Sequence, residues 1–149
     1  MKKSILPIIL IFIVCLAACN TAENKVLLTN ELMTVQDIEE LGINCFNYCG
    51  YLFFSYSGKN VVAQTDSDGK MLKKVESYDI VKPDTSDFDG LVEGMTVFEV
   101  VRRVGLPKGS YSSGMITLFF ETHDGKSAYT VYLSNSDNTE LTVGSIIKH

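Results

Sequence analysis

Val97, Val100, Val101 and Val104 stand at i, i+3, i+4 and i+7, the spacing of one apolar stripe on an α-helix. Thr96 precedes the stripe and Glu99 follows the threonine by three residues. A threonine hydroxyl there accepts a free N–H of the first turn, and the acid reaches back to the cap's own N–H. Met95, before the cap, and Val100, four residues after it, have the spacing of a hydrophobic staple. Gly105 and Pro107 then stop the helix. The same signals occur 62 residues earlier, where Met33-Thr34-Val35 leads into Asp37, Ile38 and a stop at Gly42.

Behind each predicted helix the pattern turns from helical spacing to strand-like runs. In the second half these are Met115–Thr122, Ser127–Leu133 and Thr139–Ile147, joined by His123-Asp-Gly-Lys126 and Ser134-Asn-Ser-Asp-Asn138. In the first half they are Tyr51–Tyr56, Val61–Thr65 and Lys70–Tyr78, joined by Ser57-Gly-Lys-Asn60 and Asp66-Ser-Asp-Gly69. Asp87–Glu93 has room for a short helix before the capped one.

The order of these features repeats. Leu52-Phe53-Phe54 answers Leu118-Phe119-Phe120, and Asp66-Ser67-Asp68-Gly69 answers Asn135-Ser136-Asp137-Asn138. The offset grows only from 62 to 66 to 69, as a few loop insertions would produce. The expected organisation is α+β, with two tandem repeats. Each is a helical hairpin or single helix packed on a three-stranded antiparallel sheet. The first repeat spans 31–80, the second 87–149, and 81–86 is a linker rich in Pro, Asp and Ser. A unit of this size is marginal alone, so two side by side are expected.

The first thirty residues read as an address. Lys2 and Lys3 precede an apolar run, Ile5–Leu16, that suits a signal peptide better than a membrane span. The run ends Leu16-Ala17-Ala18-Cys19, which resembles the lipobox of bacterial lipoproteins. That resemblance implies a signal peptide over 1–18, a lipidated Cys19 and a tether over 19–30. The protein would be exported and held by lipid to the outer face of the bacterial cell membrane, or to the outer membrane where there are two. Losing Lys2 and Lys3 takes the 13 basic side chains to 11 against 18 acidic ones, a net charge of −7. An acidic balance of that size argues against nucleic acid as a partner.

Gly94-Met95-Thr96, Glu99-Val100 and Gly105-Leu106-Pro107, followed by three strands, resemble the β-lactamase-inhibitor-protein-like (BLIP-like) fold. That fold is shared with the small lipoprotein of the outer-membrane barrel-assembly machine (SmpA/OmlA, BamE-like). In the first copy Leu32 replaces the glycine and Ile43-Asn44 the Leu-Pro pair, so that repeat is degenerate. The resemblance implies non-enzymatic binding of another envelope or extracellular protein through the exposed face of the sheet. Strand alternation puts Thr117, Phe119 and Glu121 on the wetter face of their strand, with Thr130 and Tyr132 beside them. Phe53 matches Phe119 by repeat position, and Tyr51 shares its side. Tyr51, Phe53, Phe119 and Tyr132 are therefore the candidate protein-binding residues. The same rings would equally serve to pack the two repeats together.

Cys45 and Cys49 leave three readings open: a local disulfide, two part-buried thiols, or a thiol redox pair. The C-x-x-C spacing of redox proteins is absent, and without a paired histidine no zinc site is expected. Asp66–Gly69 begins like a calcium loop, lacks the distal ligands and reads better as a hairpin turn. Inhibitory members of the resembled family plug an enzyme cleft with a hairpin loop. An inhibitor of a penicillin-recognising enzyme, acting through the Asp66–Gly69 tip, is thus an alternative function. Asp84, Asp87 and Asp89 read as linker and helix-start charges. The histidines are His123, in a predicted turn, and His149, and no catalytic motif is present. No enzyme, cofactor or metal is expected.

Overall fold

The computed structural model describes residues 34–110, 114–135 and 140–149. The leader, Cys19 and the tether lie outside these residues. Three helices are described: α1 (Val35–Glu40), α2 (Thr85–Asp89) and α3 (Val97–Val104). Seven strands accompany them: β1 (Cys45–Tyr48), β2 (Tyr51–Tyr56), β3 (Lys59–Thr65), β4 (Leu72–Asp79), β5 (Ile116–Glu121), β6 (Ala128–Asn135) and β7 (Leu141–Lys148). The architecture is mixed α+β, with two antiparallel sheets ordered β1-β2-β3-β4 and β5-β6-β7.

The helices start where the sequence says they should. Thr34 donates its N–H to Asp37 Oδ2 at 2.7 Å and accepts Asp37 N–H at its hydroxyl at 3.1 Å. Thr96 and Glu99 exchange the same pair of bonds, at 2.8 and 3.3 Å. A third capping box, Asp84 with Asp87, opens α2 inside the stretch read as a linker. Each such cap stabilises its helix by about 1 kcal/mol. Gly105 ends α3 at φ 81°, a left-handed conformation that a residue with a Cβ rarely adopts.

All four valines of the α3 stripe are buried, and so is Phe98. Together with Phe88 and Leu91 they share one core with Leu118, Phe120, Val131 and Val143 of the second sheet. Burying each valine contributes roughly 1.5–3 kcal/mol, far more than helix propensity over eight residues. Phe88 stacks flat on Tyr129, with centroids 4.0 Å apart, and meets Phe120 edge-on. A second cluster gathers Ile38 of α1 with Leu52, Phe54, Val61 and Ala63.

Two features depart from the sequence reading. Cys45–Tyr48, outside every run the sequence assigns to a helix or strand, is a strand that makes the first sheet four-stranded rather than three-stranded, pairing Phe46 with Phe53 and Tyr48 with Tyr51. Its turn, Cys49-Gly50, has φ of 50° and 82°, the two left-handed residues of a type I′ hairpin. That strand also removes the disulfide as an option. A strand rises about 3.3 Å per residue, so ends four residues apart lie far beyond disulfide reach. Cys45 and Cys49 are both free thiols.

Candidate protein-binding face

Strand alternation on β5 separates Leu118 and Phe120, in the core, from Thr117, Phe119 and Glu121 on the other face, where Thr117 is itself buried at 1% exposed, Phe119 half-buried and Glu121 exposed. Backbone pairing then sets two rows across the second sheet. Phe119 faces Thr130, which faces Ile147, while Thr117 faces Tyr132, which faces Ser145. The structure thus brings Phe119 and Tyr132 onto one face, as alternation expects. Both are half-buried. Ile147 is 46% exposed and Met115, just before β5, 56% exposed. The sequence reading missed Ile147, because its side depends on a register shift between Tyr132 and Leu133 that no local signal announces.

Tyr51 and Phe53 are placed elsewhere, and the expectation of an exposed face is corrected for them. Each is only 3% exposed, in the core cluster with α3. Phe46 stacks on Phe53 from the neighbouring strand, and Tyr51 meets Phe98 of α3 edge-on. Their face of the first sheet is closed by the second half of the chain. The packing role that the rings also admitted is the one they have.

The outward face of the second sheet is held by polar groups at its margins. Thr130, itself buried, bonds through its hydroxyl to the His149 ring at 2.8 Å, and His149 N–H bonds to Ala128 O. The outer edge of β5 is closed by Gly109, whose carbonyl accepts Phe119 N–H at 2.9 Å. Tyr48 from the first sheet accepts Thr117 N–H at its hydroxyl. An edge satisfied in this way offers little to strand addition, so recognition falls to the side chains of the face.

The other candidate residues stand apart from this face. Cys49, Tyr51, Gln64, Asp66, Lys73 and Glu140 border a cleft of about 350 Å³ where the two sheets meet. Asp66 spends its carboxylate on its own turn, accepting the N–H of Lys70 at 2.8 Å and of Met71 at 3.3 Å. The Lys70 bond leads in holding that carboxyl below its usual range. Burial, with Glu39 nearby, pushes the Cys45 thiol up, away from the lowered values of reactive thiols. Among the described residues no cluster of three metal-ligating side chains occurs, and no helix is long and apolar enough to cross a membrane.

No family model matches the chain, and neither a curated protein nor a solved structure matches it. The face itself therefore supplies the functional argument.

Proposed function

We propose that this chain is a lipid-anchored, non-enzymatic protein of the bacterial cell envelope that binds another protein on the outward face of its second sheet. The observation that carries this is the joining of Phe119, Tyr132 and Ile147 on one face, with Met115 at its edge. Aromatic and aliphatic side chains set among threonines and serines suit the centre of an interface. The lipoprotein-like leader supports the location, with Cys19 as the anchor.

A BLIP-like or BamE-like tandem repeat is part of this proposal, and two observations support it. The two helices capped by threonine each have that threonine bridged to the last hairpin strand of the following sheet or the residue before it, Thr34 to Met71, which precedes β4, and Thr96 to Thr142 of β7. In both Leu-Phe-Phe segments the first and third residues are buried with helix residues, Leu52 and Phe54 with Ile38, Leu118 and Phe120 with the α3 valines.

The test is affinity purification of the full-length protein from native membranes beside a Phe119→Ser/Tyr132→Ser variant. A partner lost by a variant of unchanged circular dichroism supports the face. Equal recovery with both baits would place binding elsewhere.

A further inference from the structure

The cleft of about 350 Å³ where the two sheets meet lies beside the Cys49-Gly50 and Asp66–Gly69 turns. Bonds between elements fix its walls. Gly50 O accepts Thr65 N–H at 2.8 Å and the Thr65 hydroxyl at 3.2 Å, which ties the end of β3 to the β1–β2 turn. Toward the second sheet, the Tyr51 hydroxyl accepts Leu141 N–H at 3.4 Å, which ties β2 to the start of β7. A preformed concavity of this size suits a small molecule. Three charged side chains border it, Asp66, Lys73 and Glu140. Asp66 is committed to its own turn, accepting the N–H groups of Lys70 and Met71. The other two are not committed. Lys73 is exposed and stands near Asp66, yet among the described residues it forms no ion pair. Glu140 stands near Tyr51 with its Oε1 shut off from solvent, and among the described residues nothing donates to that oxygen. A carboxylate oxygen buried without a donor is held at a cost in stability, and such costs collect at functional sites.

We propose that this cleft binds a small zwitterion carrying a primary ammonium and a carboxylate, the charged ends of an amino acid or short peptide. The argument is one of charge. Glu140 and Lys73 border the same cleft with opposite signs and do not pair with each other. The ligand's ammonium meets Glu140 and offsets a carboxylate that is short of donors. Its carboxylate meets the Lys73 ammonium, and both contacts are charge-assisted. Ser67 and Asn135, also at the border, offer a hydroxyl and an amide to the polar groups between the two ends. A ligand with the ammonium alone would be repelled by Lys73, and one with the carboxylate alone by Glu140. This cleft is separate from the face of the second sheet, so the proposal stands or falls independently of protein binding there.

The experiment is equilibrium dialysis of radiolabelled glycylglycine against the full-length protein in detergent. Saturable binding below about 10 mM is expected. N-acetylglycylglycine, which lacks the ammonium, and glycylglycinamide, which lacks the carboxylate, should each displace the label about tenfold less well than unlabelled glycylglycine. Glu140→Gln and Lys73→Met should each weaken binding about tenfold. The thermal melt of Glu140→Gln should hold level or rise, because the substitution removes a carboxylate with no donor to lose. Bound dipeptide should also slow alkylation of Cys49, at the border of the cleft, and leave Cys45 unaffected. Displacement by free glycine would assign the site to amino acids, and its failure to peptide ends. No saturable binding, equal competition by either blocked dipeptide, or undiminished binding by Glu140→Gln would overturn the proposal.

Discussion

The rings of Tyr51 and Phe98 meet edge-on, centroids 5.9 Å apart and planes at 67°, while the Tyr51 hydroxyl accepts Leu141 N–H at 3.4 Å. One side chain of the first sheet thereby touches both α3 and the start of β7. The contact packs the two halves of the chain together, and it gives Tyr51 a place in the core that they share.

Phe53 and Tyr132 should respond in opposite ways to truncation. Phe53→Ser is expected to cost about 3–5 kcal/mol, because it opens a cavity in the core that Phe53 shares with α3. Tyr132→Ser should cost no more than about 1 kcal/mol and act on binding instead. Urea denaturation of both variants checks the contrast. Tyr51→Phe keeps the ring and strands the buried Leu141 N–H, so an intermediate loss of about 1–3 kcal/mol is expected.

Asp124 makes stability fall in acid. The Thr122 hydroxyl donates to it at 2.8 Å and Lys126 N–H at 3.1 Å, holding the carboxyl down from the usual 3.8 to about 2. The unfolded chain therefore binds the proton more tightly than the folded one. This stabilisation is fully present above the unfolded value and is lost as pH falls through the folded one. Urea midpoints taken from about pH 5 down to about pH 2 should drop less steeply in Asp124→Asn than in the parent. Asp37, Asp66 and Asp84, held down chiefly by hydrogen bonds from Thr34, Lys70 and Ser86 respectively, add to the same slope.

Gly90 and Arg103 form a coupled pair. A methyl group at Gly90 would stand 1.8 Å from Arg103 Nη2, and the guanidinium of Arg103 donates through Nε to Asp87 O at 2.8 Å. Gly90→Ala should push the arginine away and forfeit that bond, at about 1 kcal/mol. Arg103→Ala loses the bond directly. Combining the two should cost little more than either alone, and a double-mutant cycle measures the shortfall from additivity.

The two thiols should label separately. Cys49 is exposed, and Cys45 is half-buried with its thiol pushed up, so an alkylating reagent should modify Cys49 first and Cys45 later. Mass spectrometry of the labelled protein should find both modified without prior reduction. A reduction-dependent signal would contradict the hairpin that separates them.

Local signals carried much of this structure. Thr34 with Asp37 and Thr96 with Glu99 announce two helices, since a cap is an interaction among residues three apart. The spans of β2 and β5, and the turn at Ser57-Gly58, follow from alternation and from glycine's freedom at positive φ. Alternation also put Phe119 and Tyr132 on one face. None of these readings needed a distant residue. Strand β1 lay beyond their reach because four residues such as Cys-Phe-Asn-Tyr become a strand only by pairing with β2.

Phe53 and Phe119 mark the boundary between the two kinds of information. Both occupy the middle of a Leu-Phe-Phe triplet, and period-two alternation places both on the face opposite the flanking residues. The sequence by itself determined that much. Only the tertiary structure decided that Phe53 is buried in the core that includes α3 while Phe119 stays half-buried on the far side of the second sheet from Leu118 and Phe120. Burial depends on which element stacks on a sheet, and that choice is made by the summed packing of α3 between the two sheets rather than by any neighbour in the chain.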